Sequence, residues 1–339
     1  MVKVKREGII LTKTDIGFEN EAVLNPAVIC EGDIIHLFYR AVQQGNHSSI
    51  GYCKLNNYMN VTERFDKPIL SPQFTYESQG LEDPRIVKID DLYYLTYTAY
   101  DGVNALGALA TSKDLKQFEK QGLIVPKIKY NDFKRLVEKC NIDEKYFSLN
   151  ESSDFLMVKD VVFFPRRINN KLCFLQRIKP DIQIVSVKNL DELTKEFWED
   201  YFLNFDKNIM LTPKHEHEMA YIGGGCPPIE TKHGWLLIYH GVNYSKEGYF
   251  YCACVTLLDI NNPQKELARL PNRLFIPELE WELKGEVNKV VFPTGSVLIE
   301  DTLYIYYGAA DERIAYVSLC LSALLAEVLL HPTTDQNRD

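Results

Sequence analysis

Two carboxylates and a guanidinium group occupy near-adjacent positions in the segment Gly80-Leu-Glu-Asp-Pro-Arg85. A buried carboxylic acid with a raised pKa can donate a proton to a leaving oxygen, as the cleavage of a glycosidic bond requires. Asp83, which precedes the proline, is the candidate donor. On a strand Glu82 and Asp83 face opposite sides, so only one of them can point into a channel. From the spacing alone, a turn with a surface ion pair is the simpler interpretation.

A second group of candidates lies between residues 215 and 226. The run His215-Glu-His-Glu218 is rich in metal-ligating types, but its alternate spacing lacks the geometry of a zinc-binding helix. We therefore predict a solvated loop and no metal, although Glu216 or Glu218 could act as a base. The segment Ile222-Gly-Gly-Gly-Cys226 precedes Pro-Pro and a strand, not a helix. It is therefore not a dinucleotide-binding loop, and it indicates close backbone approach or a tight bend.

Five segments of the chain share one layout, in which a proline and an apolar strand are followed by a polar turn and an aromatic-rich strand. Each is typical of a β-hairpin. The hairpins lie at residues 26–40, 84–98, 165–177, 228–240 and 293–307. Because each interval leaves room for two more strands, the repeats predict an all-β fold, a five-bladed β-propeller in a single domain over residues 1–339. An ordinary β-sandwich is the alternative.

Short helices are expected as insertions into this fold. Residues 191–201 and 318–330 have the spacing of apolar residues that favours a helix, and residues 131–148 form a polar, partly helical insertion. We expect no linker between two halves of the chain.

The aligned repeats indicate where a site would form, because equivalent positions in a propeller converge on one channel mouth. The residues that end the second strands are Arg40, Thr98, Arg177, His240 and Gly308. The residues that precede the prolines are Asn25, Asp83, Phe164, Pro227 and Phe292. Polar groups gathered at one end of a channel are the default binding site. Arg40, Lys159, Arg177 and His240 could form an anion pocket there, and ordinary ion pairing is the alternative.

The composition excludes several classes of protein. Of 339 residues, 46% are hydrophobic and 25% are charged, as in soluble globular proteins. Lys and Arg number 38 against 47 Asp and Glu, a net charge of −9 that argues against nucleic-acid binding. No apolar run approaches the roughly 20 residues of a membrane helix, and none at the start is typical of a secretory signal. With eight scattered cysteines, a reduced, cytoplasmic protein is expected.

Motifs that run in order from Asn25 to Asp311 resemble glycoside hydrolase family 130. They are Asn25-Pro-Ala with Tyr39-Arg40, Glu82-Asp-Pro-Arg85 with Tyr97-Thr-Ala-Tyr-Asp101, Lys159-Asp-Val-Val-Phe-Phe-Pro165, Pro227-Pro-Ile-Glu-Thr231 with Gly234-Trp-Leu-Leu-Ile-Tyr-His-Gly241, and Phe292-Pro-Thr-Gly295 with Tyr306-Tyr-Gly-Ala-Ala-Asp311. The resemblance implies a five-bladed propeller and inverting cleavage of terminal β-mannosidic bonds in small manno-oligosaccharides, without a metal or an organic cofactor. Family members are mainly phosphorylases, which use inorganic phosphate and release mannose 1-phosphate, and a smaller set are hydrolases.

The resemblance also implies roles for individual residues. Asp83 would be the proton donor. The residues that would hold the terminal mannose and the rest of the substrate are Asn25, Arg40, Arg85 and Asp311. The phosphate or other attacking group would be bound by Lys159, Arg177, His240 and the position held here by Tyr221.

The sequence departs from the family pattern at the anion-binding positions. Phosphorylases typically carry a lysine where this chain has Tyr221, and an arginine where it has Lys159. The loss of a cation weakens anion binding, and Glu218 or Glu216 just upstream could serve as the base of a hydrolase. Hydrolysis is therefore slightly favoured, although a cytoplasmic enzyme would benefit from conserving the bond energy in a sugar phosphate.

Some questions stay open at the level of the sequence. A non-catalytic propeller that binds glycans or a protein partner is the alternative function. The linkage, β-1,2 or β-1,4, and the acceptor sugar cannot be read from the sequence. A homo-oligomer is possible, because the apolar segment 321–330 could pack on its own chain or on a second copy.

Overall fold

The computed structural model describes residues 2–57, 59–140, 142–147, 154–245 and 248–333. Residues 141 and 148 of the predicted insertion at 131–148 lie outside this part. The described residues are mostly β-strand, as the sequence predicts. The strands group into antiparallel units, each named here by a letter.

Unit A contains β2 (Ala22–Glu31), β3 (Ile34–Gln43), β4 (His47–Asn56) and β5 (Asn60–Arg64). Unit B contains β6 (Gly80–Ile89), β7 (Leu92–Tyr100), β8 (Ala105–Ser112) and β9 (Glu119–Leu123). Unit C contains β10 (Lys159–Phe163), β11 (Leu172–Ile178), β12 (Asp181–Val187) and β13 (Ile209–Leu211). Unit D contains β14 (Tyr221–Gly224), β15 (Ile229–Thr231), β16 (Gly234–Ser245), β17 (Gly248–Leu258) and β18 (Glu266–Arg269). Unit E contains β19 (Val291–Ile299), β20 (Thr302–Ala309), β21 (Arg313–Cys320) and, from the other end of the chain, β1 (Lys5–Leu11), which pairs with β21.

The five predicted hairpins are confirmed by antiparallel pairing of β2 with β3, β6 with β7, β10 with β11, β15 with β16 and β19 with β20. The residue types at the turns explain why the hairpins could be predicted from the sequence. In unit C, for example, Asn169 and Asn170 both have positive φ, 51° and 62°, as a two-residue hairpin turn of type I′ requires. In unit D the first strand is divided, so that β14 and β15 both pair with β16.

The units follow one another in space as they do in sequence. The first strand of each unit contacts the first strand of the next in the pairs β19–β2, β2–β6, β6–β10 and β10–β14. Unit D in turn contacts β19 through β16 and β17. A single parallel bridge between Ser48 and Gly80 joins units A and B into one sheet. This cyclic order of contacts is the one that a five-bladed propeller requires.

A β-bulge interrupts the first strand of units A, B and C at equivalent places. The bulged residues are Asn25, Asp83 and Asp160, with φ of 48°, 48° and 52°. The sequence alignment, which placed Phe164 in this position of the third repeat, is wrong there, because the bulge of unit C does not precede a proline. Bulges re-aim side chains and are frequent beside active sites.

Helices lie in the connections between strands, and the last of them follows β21. They are α1 (Tyr130–Val137), α2 (Lys195–Leu203), α3 (Phe205–Asn208), α4 (Glu280–Leu283) and α5 (Leu321–Val328), with 3₁₀ turns at Gly17–Glu19, Thr75–Glu77, Glu144–Tyr146, Leu190–Glu192 and Glu216–Glu218. The helices predicted at 191–201 and 318–330 exist, but both begin later than predicted. The first, α2, begins at Lys195, where the side chain of Thr194 caps it, and α5 begins at Leu321, because residues up to Cys320 belong to β21. In α5, Leu324 and Val328 are fully buried in the core shared by units D and E, so this apolar segment packs on its own chain. Within the described residues, no helix is long and apolar enough to span a membrane.

Candidate active site

Side chains from all five units and from the segments between their strands line a cavity of about 290 Å³. The lining residues are Asn25, Arg40, Asp83, Met157, Lys159, Asp160, Arg177, Lys179, Tyr221, Tyr251, Val287, Val290, Phe292 and Asp311. Seven of the residues expected from the sequence are among them: Asn25, Arg40, Asp83, Lys159, Arg177, Tyr221 and Asp311. The structure therefore brings together most of the site that the sequence predicted.

The side of the cavity formed by units E, A and B is acidic, and we call it the acidic end. Asn25 Nδ2 donates a hydrogen bond to Asp83 Oδ1 at 2.6 Å, while Arg40 Nη1 lies 3.9 Å from the same oxygen. Asn25 Oδ1 is buried without a hydrogen-bond partner among the described residues, and it closely approaches the backbone of Gly308. Gly308 makes this approach possible, because a Cβ there would lie 2.0 Å from Asn25 Oδ1.

Glu82 does not line the cavity, but it forms ion pairs with two residues that do, Arg40 and Lys159. Only Asp83 of the two adjacent carboxylates lines the cavity, as expected. The bulge at Asp83 nevertheless lets Glu82 reach Arg40 Nη2 at 2.8 Å and Lys159 Nζ at 3.4 Å. Glu82 is 6% exposed and lies in β6. The simpler interpretation of this segment, a turn with a surface ion pair, is therefore wrong.

Asp311 completes the acidic end. Burial, reinforced by the negative charge of Asp83, raises the pKa of Asp311 to about 6, although Arg40 opposes this shift. An unfolded aspartate titrates near 4. Near pH 5 this carboxyl is therefore largely protonated in the folded protein, and it then offers both a donor and an acceptor to a ligand.

We expect Asp311→Asn to stabilise the protein at pH 7 while weakening substrate binding. The pKa of Asp311 is higher in the folded than in the unfolded protein, so folding favours the protonated carboxyl. The contribution of this group to the free energy of unfolding is therefore fully present below pH 4 and is lost as the pH rises through 6. The variant should be more stable at pH 7 by about 2 kcal/mol, since one pKa unit corresponds to about 1.4 kcal/mol and the cavity is open to water. Urea unfolding at pH 4 and pH 7 measures this, with the exposed Asp33→Asn as the control. An equal effect of Asp311→Asn at both pH values would contradict the prediction.

The side of the cavity formed by units C and D is basic, and we call it the basic end. In the part of the chain that the structure describes, its cations are Lys159, Arg177 and Lys179. Arg177 Cζ lies 5.0 Å and Lys179 Nζ 4.5 Å from the ring centre of Tyr221, whose hydroxyl is hydrogen-bonded to that of Tyr251. Nearby acidic groups raise the pKa of Lys159 against the effect of burial, so that this lysine is charged.

Lys179 was missed by the sequence reasoning. It follows Arg177 by two residues at the end of β11, and side chains two apart on an extended chain share a face. This alternation was the signal that could have found it. The cation that Tyr221 fails to supply is thus present in the cavity, contributed by the turn between β11 and β12 of unit C.

Asp160 was also missed as a site residue. Its Oδ2 lies 2.8 Å from Arg177 Nη1 and 3.6 Å from His240 Nε2. Burial by itself would raise the pKa of Asp160, but nearby cations, Arg177 first among them, lower it overall, so the carboxylate is ionised. Burial lowers the pKa of His240 to about 3, which keeps this imidazole neutral near pH 7. The basic end therefore carries more positive than negative charge.

His240 and Arg85 lie behind the cavity wall and do not line it. His240 stacks near Phe292, with ring centres 4.4 Å apart. Arg85 donates hydrogen bonds to the backbone carbonyls of Gly225 at 2.7 Å and Asp83 at 2.9 Å, and it is 2% exposed. It therefore holds the backbone of Asp83 in place. The expected close backbone approach of the glycine segment is confirmed, because a Cβ on Gly223 would lie 2.4 Å from both Asp160 Oδ2 and His240 Nε2.

Glu216 and Glu218, the expected candidates for a base, are not among the described residues that line the cavity. Glu216 is exposed. Glu218 is fully buried and accepts hydrogen bonds from the backbone of Lys214 at 2.7 Å, from Tyr239 and from Arg269 at 3.2 Å. Burial by itself would raise its pKa, but Arg269 and these donors lower it overall. The prediction of a solvated loop over 215–218 is also wrong, because His217 and Glu218 are buried.

Glu218 belongs to an arrangement that we call the Glu–Tyr–cation cluster. In such a cluster, a buried glutamate in a short helical turn accepts a hydrogen bond from a tyrosine of the unit's central hairpin and pairs with a cation of an outer strand. Within the described residues it occurs in four units, as Glu19–Tyr39–Arg64, Glu77–Tyr97–Lys120, Glu218–Tyr239–Arg269 and Glu282–Tyr307–Arg6. Because the same cluster recurs in units that contribute different groups to the cavity, we assign it a structural role and not a catalytic one.

Comparisons with known proteins agree with this cavity. A family model for glycoside hydrolase family 130, described as β-1,4-mannooligosaccharide phosphorylase, matches residues 7–328. This match defines the protein as an enzyme that acts on glycosidic bonds. The chain belongs to glycoside hydrolase family 130.

Two relatives come from Thermoanaerobacter sp. strain X514. The 1,2-β-oligomannan phosphorylase is 34% identical over 334 residues, which cover 94% of this chain and 98% of the relative. The β-1,2-mannobiose phosphorylase is 36% identical over 314 residues, which cover 88% and 89%. The solved β-1,2-mannobiose phosphorylase of Listeria innocua, in complex with β-1,2-mannobiose, has a TM-score of 0.75 and 24% identity over 97% of this chain and 100% of that chain. At this identity the solved structure establishes a shared fold.

The slight preference for hydrolysis is not supported. It rested on a missing cation at Tyr221 and on a glutamate base nearby. Lys179 supplies a cation beside Tyr221, and Glu218 is held in a Glu–Tyr–cation cluster. The named relatives of highest identity are phosphorylases.

Proposed function

We propose that this protein is an inverting phosphorylase that cleaves the terminal β-1,2-mannosidic bond of small manno-oligosaccharides with inorganic phosphate. The products would be α-mannose 1-phosphate and an oligosaccharide shortened by one sugar. The observation that carries the proposal is that one cavity is lined by three cations of unit C, Lys159, Arg177 and Lys179, and by the carboxyl group of Asp83. An anionic nucleophile and a proton donor need these two environments on opposite sides of the reacting carbon.

The reaction would proceed as a single displacement. Phosphate at the basic end attacks the anomeric carbon of a mannose bound by Asn25, Arg40 and Asp311, and the bond to the leaving oxygen breaks. Asp83 gives its proton to that oxygen, directly or through a sugar hydroxyl. Asp160 would hold Arg177 in position, and no metal or organic cofactor takes part in any step.

We also propose that units A to E are the five blades of a β-propeller around this cavity. The cyclic order of contacts between first strands supports the proposal, as does the pairing of β1 with β21, which unites the two ends of the chain in one blade. The β-1,2 linkage is supported by the names of the relatives that exceed 30% identity over most of the chain.

One incubation tests the proposed function. The protein is supplied with β-1,2- and β-1,4-mannobiose, each with and without inorganic phosphate, and mannose and mannose 1-phosphate are measured. We expect phosphate-dependent mannose 1-phosphate from the β-1,2 sugar. Mannose released without phosphate would make the protein a hydrolase. Absence of product together with calorimetric binding of the sugar would favour a non-catalytic binding protein.

We expect Lys179→Met to raise the KM for phosphate by about 10- to 100-fold, because a hydrogen bond to a charged group contributes about 1.5–3 kcal/mol. The KM for mannobiose should change little, since Lys179 lies at the basic end. Initial rates at varied phosphate measure the effect, and Lys171→Met, an exposed lysine of the same unit, is the matched control. An unchanged phosphate KM in Lys179→Met would remove this lysine from the anion site.

A further inference from the structure

Three metal-ligating side chains meet at unit D, and none of them is among the described residues that line the catalytic cavity. They are His217, in the 3₁₀ turn Glu216–Glu218, and Cys252 and Cys254, in β17. A ring nitrogen of His217 and the two sulfur atoms all lie within 4.8 Å of one another. We call this group the His–Cys–Cys cluster. Neither the turn nor the strand is a metal-binding motif by itself, and the cluster forms only where the two meet.

The two sulfur atoms have the separation that a zinc ion requires. Cys252 Sγ and Cys254 Sγ are 3.8 Å apart. A tetrahedral zinc ion with Zn–S bonds of about 2.3 Å holds two sulfur ligands about 3.8 Å from each other. Because the cysteines are two residues apart on a strand, their side chains share one face. Both thiols could therefore bind one ion without a change in the strand.

The imidazole of His217 has a ring nitrogen that lacks a partner. Nε2 is buried without a hydrogen bond among the described residues, and the whole residue is 5% exposed. A buried polar atom without a partner is rare and calls for an explanation. Burial lowers the pKa of His217 to about 4, so near pH 7 the ring is neutral, which is the form that binds metals. The ring of His215 is stacked beside it, with centres 5.5 Å apart, and is a candidate for the fourth ligand.

The surroundings of the cluster leave room for an ion. Gly241 lies in β16 opposite Cys252. A Cβ on this glycine would lie 2.9 Å from Cys254 Sγ and 3.0 Å from the backbone oxygen of His217. A larger residue at this position would therefore push the strand and the turn apart.

The charges of the cluster fit a divalent ion. Burial raises the pKa of Cys254 well above its usual range, so this thiol is protonated when no metal is bound. A bound Zn²⁺ would displace one proton from each thiol to water, and the two thiolates would balance its charge. The ion and its three ligands would then carry no net charge, so their burial would avoid the cost of an isolated ion.

We propose that the His–Cys–Cys cluster binds one Zn²⁺ ion per chain and fastens the turn Glu216–Glu218 to β17. The turn leads into β14, whose first residue, Tyr221, lines the catalytic cavity. The role of the ion is structural, because its ligands lie outside that cavity. The alternative is that the two cysteines pack as small apolar side chains in the core between units C and D. Simple packing does not account for the unpaired nitrogen of His217.

The first test is metal binding by the unaltered protein. One sample is purified from cells grown with added Zn²⁺, and another is unfolded with a chelator, refolded without metal and titrated with Zn²⁺ or Co²⁺. We expect one ion per chain and a Tm that rises when Zn²⁺ is added, because an ion that binds only the folded chain stabilises it. Bound Co²⁺ should show the near-ultraviolet absorption of a thiolate–cobalt bond. Absence of metal from both samples, or Co²⁺ bound without this absorption, would overturn the proposal.

The second test removes single ligands. His217→Gln and Cys254→Ser should each weaken Zn²⁺ binding by about 100-fold or more, since loss of a residue that only supports a metal ligand already costs about 10- to 100-fold. Added Zn²⁺ should raise the Tm of the unaltered protein and leave that of both variants unchanged. His217→Gln keeps the test valid if Cys254→Ser fails to fold, because His217 lies in a short turn and not in a core strand.

Cys53→Ser is the matched control, because Cys53 is as buried as Cys254 but lies in the core of unit A. This variant should be less stable than the unaltered protein, and its Tm should still rise with Zn²⁺. Unchanged Zn²⁺ affinity in His217→Gln and Cys254→Ser would place the metal elsewhere and overturn the assignment. An equal loss of affinity in Cys53→Ser would also overturn it.

Discussion

Replacement of Asp83 by asparagine is expected to lower turnover on β-1,2-mannobiose by about 100- to 10,000-fold, the usual contribution of a general acid. Asparagine is close in shape to aspartate and can still accept the hydrogen bond from Asn25 Nδ2, so the bulge and the sugar site should be retained. What is lost is the proton for the leaving oxygen. Steady-state rates with saturating phosphate measure the effect, and calorimetry with mannobiose checks that binding persists.

A substrate with a better leaving group tests the role of Asp83 as the acid more directly. A dinitrophenyl β-mannoside releases a phenolate that needs no protonation, so Asp83→Asn should be far less impaired on this substrate than on mannobiose. Asp91→Asn, an exposed aspartate of the same unit, is the control and should be unaffected on both substrates. If Asp83→Asn were impaired equally on the two substrates, Asp83 would act in positioning and not as the acid. A near-normal rate on mannobiose would remove Asp83 from the mechanism.

Glu218→Gln is expected to reduce the free energy of unfolding by about 1.5–3 kcal/mol, because it removes the charge from one of the two carboxylates that pair with the buried guanidinium of Arg269 and leaves Glu266 as the other. The amide nitrogen of glutamine would also face backbone N–H donors that now meet a carboxylate oxygen. The protein that remains folded should keep its kinetic constants, since Glu218 does not line the cavity. Urea unfolding followed by rate measurements on the folded fraction tests both statements.

Glu216→Gln is the matched control for this change, because Glu216 lies two residues away in the same turn and is exposed. It should alter neither stability nor rate. A Glu218→Gln protein of normal stability that has lost its activity would contradict the structural role and restore Glu218 as a candidate base. Glu77→Gln in unit B should destabilise the protein in the same way, since Lys120 and Tyr97 form the equivalent cluster there.

Local signals in the sequence determined the strands, the hairpins and much of the cavity. Alternating apolar residues and turn pairs such as Asn169-Asn170 act over a few residues, and the backbone responds to them locally. The repeat then made Arg40, Arg177 and His240 equivalent, and the observed strand register confirms this, since they pair with Leu24, Lys159 and Gly223. A repeated unit places equivalent residues in equivalent places, so that a linear alignment carries spatial information.

The tertiary structure decided what the alignment could not. The bulge of unit C falls at Asp160 without a proline to mark it, because a bulge depends on the pairing of two strands and not on one residue type. Lys179 replaces the cation absent at Tyr221 only because two units pack side by side at the cavity. Glu218 accepts from Tyr239 and Arg269, which are distant in sequence and adjacent only once unit D has formed. Sequence spacing thus fixed which groups are present, and contacts between distant strands fixed which of them meet in the cavity.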